Sequence, residues 1–159
     1  MASSAKVIAG GGIGLATVVA LSIPLVEHWE GKRNDPYRDI GGKLTWCYGE
    51  TAGTPKARYT DAECSAMLER SLTSHARGVL VCIPEAAPLE TKAAFVSFGY
   101  NVGVSAACSS RAAKRLRAGD VVGACNALLN WVYVGKRRVQ GLVNRRTAER
   151  ALCLKGVPA

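Results

Sequence analysis

Between Val7 and Val26 the sequence runs for 20 residues without a charged side chain. A helix of that length crosses about 30 Å of hydrocarbon. Lys6 precedes the run and Glu27 follows it, so the positive-inside bias places the N-terminus in the cytoplasm and the rest of the chain outside. The span is weak. Gly10, Gly11, Gly12, Gly14, Thr17, Ser22 and Pro24 interrupt it, and the expectation is a segment that inserts yet can leave again. A cleaved signal peptide, with Ala20-Leu21-Ser22 as its small-x-small site, and a permanent anchor are the alternatives. The Gly10-x-x-x-Gly14 spacing permits close helix packing. All of these readings export the remaining chain.

The six cysteines agree with export. Cys47, Cys64, Cys82, Cys108, Cys125 and Cys153 lie far apart, without the short ligand spacing of zinc modules. An even number in an oxidising compartment reads as disulfides, with the fifteen possible pairings left open by spacing. No metal or cofactor is expected.

A chain of 159 residues suits one domain with a sizeable core. Its net charge of +9 is confined to one end: from Arg111 onward there are eleven basic side chains against Asp120 and Glu149. Such a balance suits an anionic partner. Nucleic acid is not expected, because the domain is exported and no aromatic stacking motif runs through the basic stretch.

Local signals give a small β element followed by helices. Residues 36–39 and 44–48, with Gly41-Gly42 between them, predict a hairpin. Thr60-Asp61-Ala62-Glu63 is a capping box for a helix towards Arg77. Further helices are predicted over Leu89–Asn101, from Ser109 or Ser110 to Ala118, from Asp120 to Leu128, and over Leu142–Leu154. Trp131 and Tyr133 suit either sugar stacking or core, while His28 and His75 carry no expected catalytic duty.

Glu30, Asp39 and Thr45 acquire meaning together. The hairpin is expected to set Asp39 across from Thr45, and a helix ending at Glu30 can aim a further carboxyl at the same cleft. Glycoside cleavage uses such an inventory: one carboxyl protonates the leaving oxygen, and a second activates water or stabilises charge on the sugar.

The spacing Glu30-x8-Asp39-x5-Thr45 resembles the catalytic signature of the phage-type lysozymes, glycoside hydrolase family 24. Glu30-Gly31, Tyr37-Arg38-Asp39, Thr45-x-x-Tyr48-Gly49, Tyr100-Asn101-Val102-Gly103, Gly119-Asp120 and Gly141-Leu142-x-x-Arg145-Arg146-x-x-Glu149 are similar to further landmarks of that family. With the weak N-terminal span, the chain resembles the signal-anchor-release endolysins of lambdoid phages. Two positions depart from the pattern: Glu50 stands where the family often has His, and Cys47 replaces a common glycine.

The resemblance implies an α+β, mainly α, lysozyme-like fold with a small N-terminal hairpin lobe and a helical C-terminal lobe. Residues 1–26 would be the membrane segment and 27–159 the catalytic domain. Glu30 would be the general acid; Asp39 with Thr45 would orient the attacking water in an inverting reaction. The substrate would be peptidoglycan, cut at the β-1,4 bond from N-acetylmuramic acid to N-acetylglucosamine. A lytic transglycosylase and a non-enzymatic wall- or membrane-binding protein are the rivals. The family also suggests Cys47–Cys64, Cys82–Cys108 and Cys125–Cys153 pairing, and Arg145, Arg146 and Glu149 read as a structural ion-pair cluster. While residues 7–26 sit in the inner membrane, Glu30 is held at the headgroups and the enzyme is expected to be inactive. On release into the periplasm part of the run would fold onto the domain, with Ser22 and Pro24 opening a short new helix, and the active form would be monomeric.

Overall fold

The computed structural model describes the backbone of residues 4–159 and the side chains from Gly14 on. Helix α1 covers Ser4–Glu30 without a break. Val18, Ser22 and Val26 repeat every four residues on its inner side and are fully buried together with Val19, so the second half of the apolar run contributes a core stripe facing α2 (Asp61–Cys82) and α3 (Leu89–Val102). Burial of each valine is worth ~1.5–3 kcal/mol relative to exposure. Ser22 and Pro24 therefore do not open a helix, contrary to expectation. Ser22 lies inside α1, where its hydroxyl donates to the Val18 carbonyl at 2.7 Å. Several buried side chains offset the ~3 kcal/mol cost of Pro24 within a helix. Among the described residues no helix is long and apolar enough to cross a membrane. The side chains of residues 7–13, on which the spanning segment and the Gly10–Gly14 packing depend, lie outside the described residues.

Gly31, at φ +68°, ends α1 and turns the chain into a two-stranded antiparallel hairpin of β1 (Arg33–Arg38) and β2 (Leu44–Cys47). Tyr37 pairs with Thr45 and Arg38 with Leu44, and the register shifts between Arg33 and Tyr37. Pro36 lies in that irregular stretch, where its missing N–H is tolerated. Thr60 caps α2 through a complete capping box with Glu63, and the helix runs five residues beyond the predicted Arg77.

Helix α3 is the central element. Thr91 and every residue from Ala93 to Gly99 are buried along it, and α1, α2 and α7 (Gln140–Lys155) pack around it. A Cβ on Gly99 would come within 2.5 Å of Val79 Cγ2, so the close approach of α2 and α3 requires glycine there. Helices α4 (Val104–Ser109), α5 (Arg111–Arg117) and α6 (Val121–Ala127) follow, with Ser110 capping α5 and Asp120 capping α6 through their side chains. A single 3-10 turn and a second hairpin, β3 (Tyr133–Val134) with β4 (Arg137–Arg138), lead into α7.

Three disulfides brace this frame. Cys47–Cys64 ties the first hairpin to α2, Cys82–Cys108 ties α2 to α4, and Cys125–Cys153 ties α6 to α7. These are the pairs that the resemblance implies, and no cysteine is left free among the described residues.

Candidate active site

The C-terminal carboxylate of α1 opens into a cleft of about 350 Å³ between the hairpin lobe and the helices. Glu30 lines it together with the 48–51 turn, Met67, Leu68, Ser71 and His75 of α2, and Tyr100 and Asn101 of α3. The Glu30 side chain is 24% exposed, and Oε1 is held 2.6 Å from Arg145 Nη1.

Arg145 reaches Glu30 across 115 positions of sequence because it belongs to a buried polar cluster on α7. Its Nε donates to Glu149 Oε1 at 3.2 Å and its Nη2 to the Ser97 carbonyl at 3.4 Å. Ser97 Oγ donates to the same Glu149 oxygen at 2.8 Å. Arg146 Nε lies 3.0 Å from Glu149 Oε2 as an ion pair without hydrogen-bond alignment, and Arg146 Nη2 donates to Asn101 Oδ1 at 2.6 Å. Arg146 also lies over the Phe98 ring. Burial pushes the Glu149 carboxyl up, and the Arg146 charge, Ser97 and Arg145 oppose that shift. Burial likewise pulls Arg146 down, and Glu149 acts against it. The structural-cluster reading of these three residues thus describes their contacts, with one addition: the cluster holds Glu30.

Asp39 and Thr45 are brought to one hairpin, but contrary to the expectation from sequence they do not lie directly across from each other. Thr45 faces Tyr37, whereas Asp39 pairs through its backbone with Lys43. Their offset is two residues, which keeps both side chains on one face of the pleat in a diagonal relation. The reason is the turn: the Asp39 carboxylate accepts from Lys43 N at 2.8 Å, and Gly42 N donates to the Asp39 carbonyl. Thr45 is buried, with its hydroxyl donating to the Lys43 carbonyl. Neither side chain is among those lining the cleft. Strand β2 nevertheless runs straight into the 48–51 turn that does.

That turn has an unusual backbone. Trp46 and Glu50 exchange two hydrogen bonds across it, and Cys47 adopts φ +53°. A side chain in this region costs roughly 1–2 kcal/mol, which accounts physically for glycine at the corresponding family position. The Cys47–Cys64 bond holds the strained residue in place.

In the sequence the aromatic members of the wall stand only as landmarks. The Tyr100 hydroxyl donates to the Tyr48 carbonyl at 3.3 Å, and its ring lies 4.8 Å from that of His75. Burial pushes the Tyr100 phenol up, reinforced by the Glu30 carboxylate; burial and the Glu27 carboxylate do the same for Tyr48. Met67 and Ser71 are cleft residues that the sequence does not single out, and His75, for which no catalytic duty is expected, lines the cleft with them. Their spacing of four residues along one face of α2 is the available signal. Trp131 packs edge-on against Phe98 as partly buried core, while Tyr133 is exposed. Among the described residues no group of three or more His, Cys, Asp or Glu side chains is placed to hold a metal.

A helix-terminal glutamate over a cleft between a small hairpin lobe and a helical lobe defines a lysozyme-like glycoside hydrolase. The phage lysozyme family profile matches residues 27–149. The chain is 39% identical to the SAR-endolysin of Bacteriophage PS119, over 94% of this chain and 90% of the relative. It is 36% identical to the SAR-endolysin of Enterobacteria phage P21, over 96% and 93% respectively. The crystal structure of the active form of P1 phage endolysin Lyz superposes with a TM-score of 0.77 at 28% identity, covering 87% of this chain and 85% of that one. The chain belongs to the phage lysozyme family.

Proposed function

We propose that the protein is an endolysin that hydrolyses the β-1,4 bond between N-acetylmuramic acid and N-acetylglucosamine in peptidoglycan, with Glu30 as general acid. The observation that carries this reading is the placement of Glu30 in the cleft, clamped on one oxygen by Arg145 while the other faces Gly49. A carboxyl fixed on one side presents its remaining oxygen in a defined direction, as protonation of a leaving group requires. Asp39, with Thr45 on the same hairpin face, orients and activates the attacking water on the opposite side of the sugar. The product anomer is then inverted.

The names of the relatives, together with the weak apolar run, support a cycle in which residues 7–26 first anchor the chain in the inner membrane with the domain in the periplasm. In that state Val18, Val19 and Val26 are withdrawn from the core position they occupy here. The α1 end carrying Glu30 then lacks its seat on α2 and α3. Release restores that packing, and the enzyme works as a periplasmic monomer.

The test is a muralytic assay of wild type and Glu30→Gln with product masses. Hydrolysis yields reducing muramic ends, and a transglycosylase would instead leave anhydro-muramic ends. A non-enzymatic wall binder would retain its effect in Glu30→Gln. Loss of at least about 10²-fold in rate, the lower end for removing a general acid, is expected in a variant that still folds. Full activity in that variant would exclude Glu30 as the acid.

A further inference from the structure

Among the described residues, Glu50 is the one carboxylate besides Glu30 in the cleft lining, and none of those lining it is lysine or arginine. Its placement is built by the local backbone. The paired hydrogen bonds between Trp46 and Glu50, the left-handed Cys47 and the Cys47–Cys64 bond fix the turn that carries it. Its Oε1 then accepts from Thr51 N and Ala52 N, both at 2.8 Å. This leaves Oε2 without a hydrogen-bond partner among the described residues. Nearby guanidinium charge is already committed, since Arg145 is bound to Glu30, Glu149 and the Ser97 carbonyl. Lys32 is bound to Asp61.

The other polar groups of this wall are partly engaged within it. His75 Nδ1 lies 2.7 Å from the Ser71 carbonyl, so that nitrogen carries a proton. Asn101 Oδ1 is engaged by Arg146, which leaves its Nδ2 as a donor. An acetamido group needs a donor for its carbonyl, which a carboxylate cannot supply. A primary ammonium has three donors and no acceptor, and matches the free Glu50 oxygen.

We infer that Glu50 forms an ammonium-recognising subsite within the cleft, taking either the free amine of a de-N-acetylated glucosamine or the side-chain amine of a diamino acid in the peptide stem. This rests on the lysozyme reading of the cleft and assigns Glu50 a binding role distinct from proton transfer. Strained backbone concentrates where a side chain must be aimed, and here the strain and the disulfide aim a carboxylate.

Three peptidoglycan preparations test the inference: fully N-acetylated, de-N-acetylated on glucosamine, and fully N-acetylated with the stem-peptide amine blocked. Wild type and Glu50→Gln are compared on each, with thermal melts to verify folding; Gln retains an oxygen for Thr51 N and Ala52 N. The readout is the ratio of kcat/KM between amine-bearing and amine-free substrates. The ratio is expected to fall about tenfold in Glu50→Gln, equivalent to about 1.4 kcal/mol. A fall confined to the de-N-acetylated pair identifies the sugar amine, and one confined to the blocked pair identifies the peptide amine. Equal ratios in the two proteins overturn the inference. A wild type that cleaves none of the three substrates instead overturns the lysozyme reading. Where the sugar amine is the one identified, glucosamine oligomers are also expected to inhibit wild type more strongly than N-acetylglucosamine oligomers of the same length. The reverse order then refutes the sugar-amine assignment.

Discussion

Replacing Glu149 by glutamine removes one charge while keeping the shape of the side chain. The consequence follows from what that charge neutralises. Arg145 is 5% exposed, and Arg146 and Glu149 are fully buried. The amide oxygen of the Glu149→Gln variant could still accept from Ser97 and Arg145 would keep Glu30, but Arg146 would remain out of water with no anion beside it. Breaking a buried pair by removing one partner costs ~3–5 kcal/mol. For a domain of this size each kcal/mol shifts the melting temperature by ~2–4 °C, so the expected drop is roughly 6–20 °C by circular dichroism. The companion variant Arg146→Met/Glu149→Met removes both charges, leaving Arg145 paired with Glu30. It is expected to be less destabilised than Glu149→Gln, because the penalty comes from the uncompensated cation and not from loss of the pair itself. A Glu149→Gln melt within about 2 °C of wild type, or a double variant worse than the single, would refute this account.

Loss of the Cys125–Cys153 bond in the double serine variant is expected to lower stability by ~3–4 kcal/mol for its sequence separation of 28, measured by urea unfolding; an unchanged midpoint would show that the α6–α7 contact holds without it. Tyr48 and Tyr100 both have phenols raised above their ordinary value. The folded state therefore keeps their protons longer, and their contribution is intact below about pH 10, then lost as pH rises through the folded values. Tyr100→Phe should flatten the decline in urea midpoint between about pH 9.5 and about pH 11.5, and an identical slope in the variant would contradict the assignment.

Short-range chemistry made much of this fold legible. The capping box at Thr60, the caps at Ser110 and Asp120, and the glycine turn of the first hairpin are local devices, and each produces its element where the residues say it should. Helix α4 is only six residues long and β3 and β4 only two each, too short to display either a helical or an alternating period. The Glu30–Arg145 contact was hidden for a different reason. Neither residue's neighbours in sequence specify a partner 115 positions away; that pairing follows from α1 and α7 both packing on α3. The diagonal offset of Asp39 and Thr45 depends on which hydrogen bonds close the turn, which their spacing in sequence does not determine. Ser22 and Pro24 illustrate tertiary packing overriding local preference.

The guanidinium that clamps Glu30 lies 115 positions after it in the chain, and this has a consequence for biosynthesis. During translation the proposed acid is made well before its clamp. No chain interrupted before α7 can set Arg145 against Glu30, however well its hairpin and α2 have formed. Completion of the cleft is thereby tied to synthesis of α7.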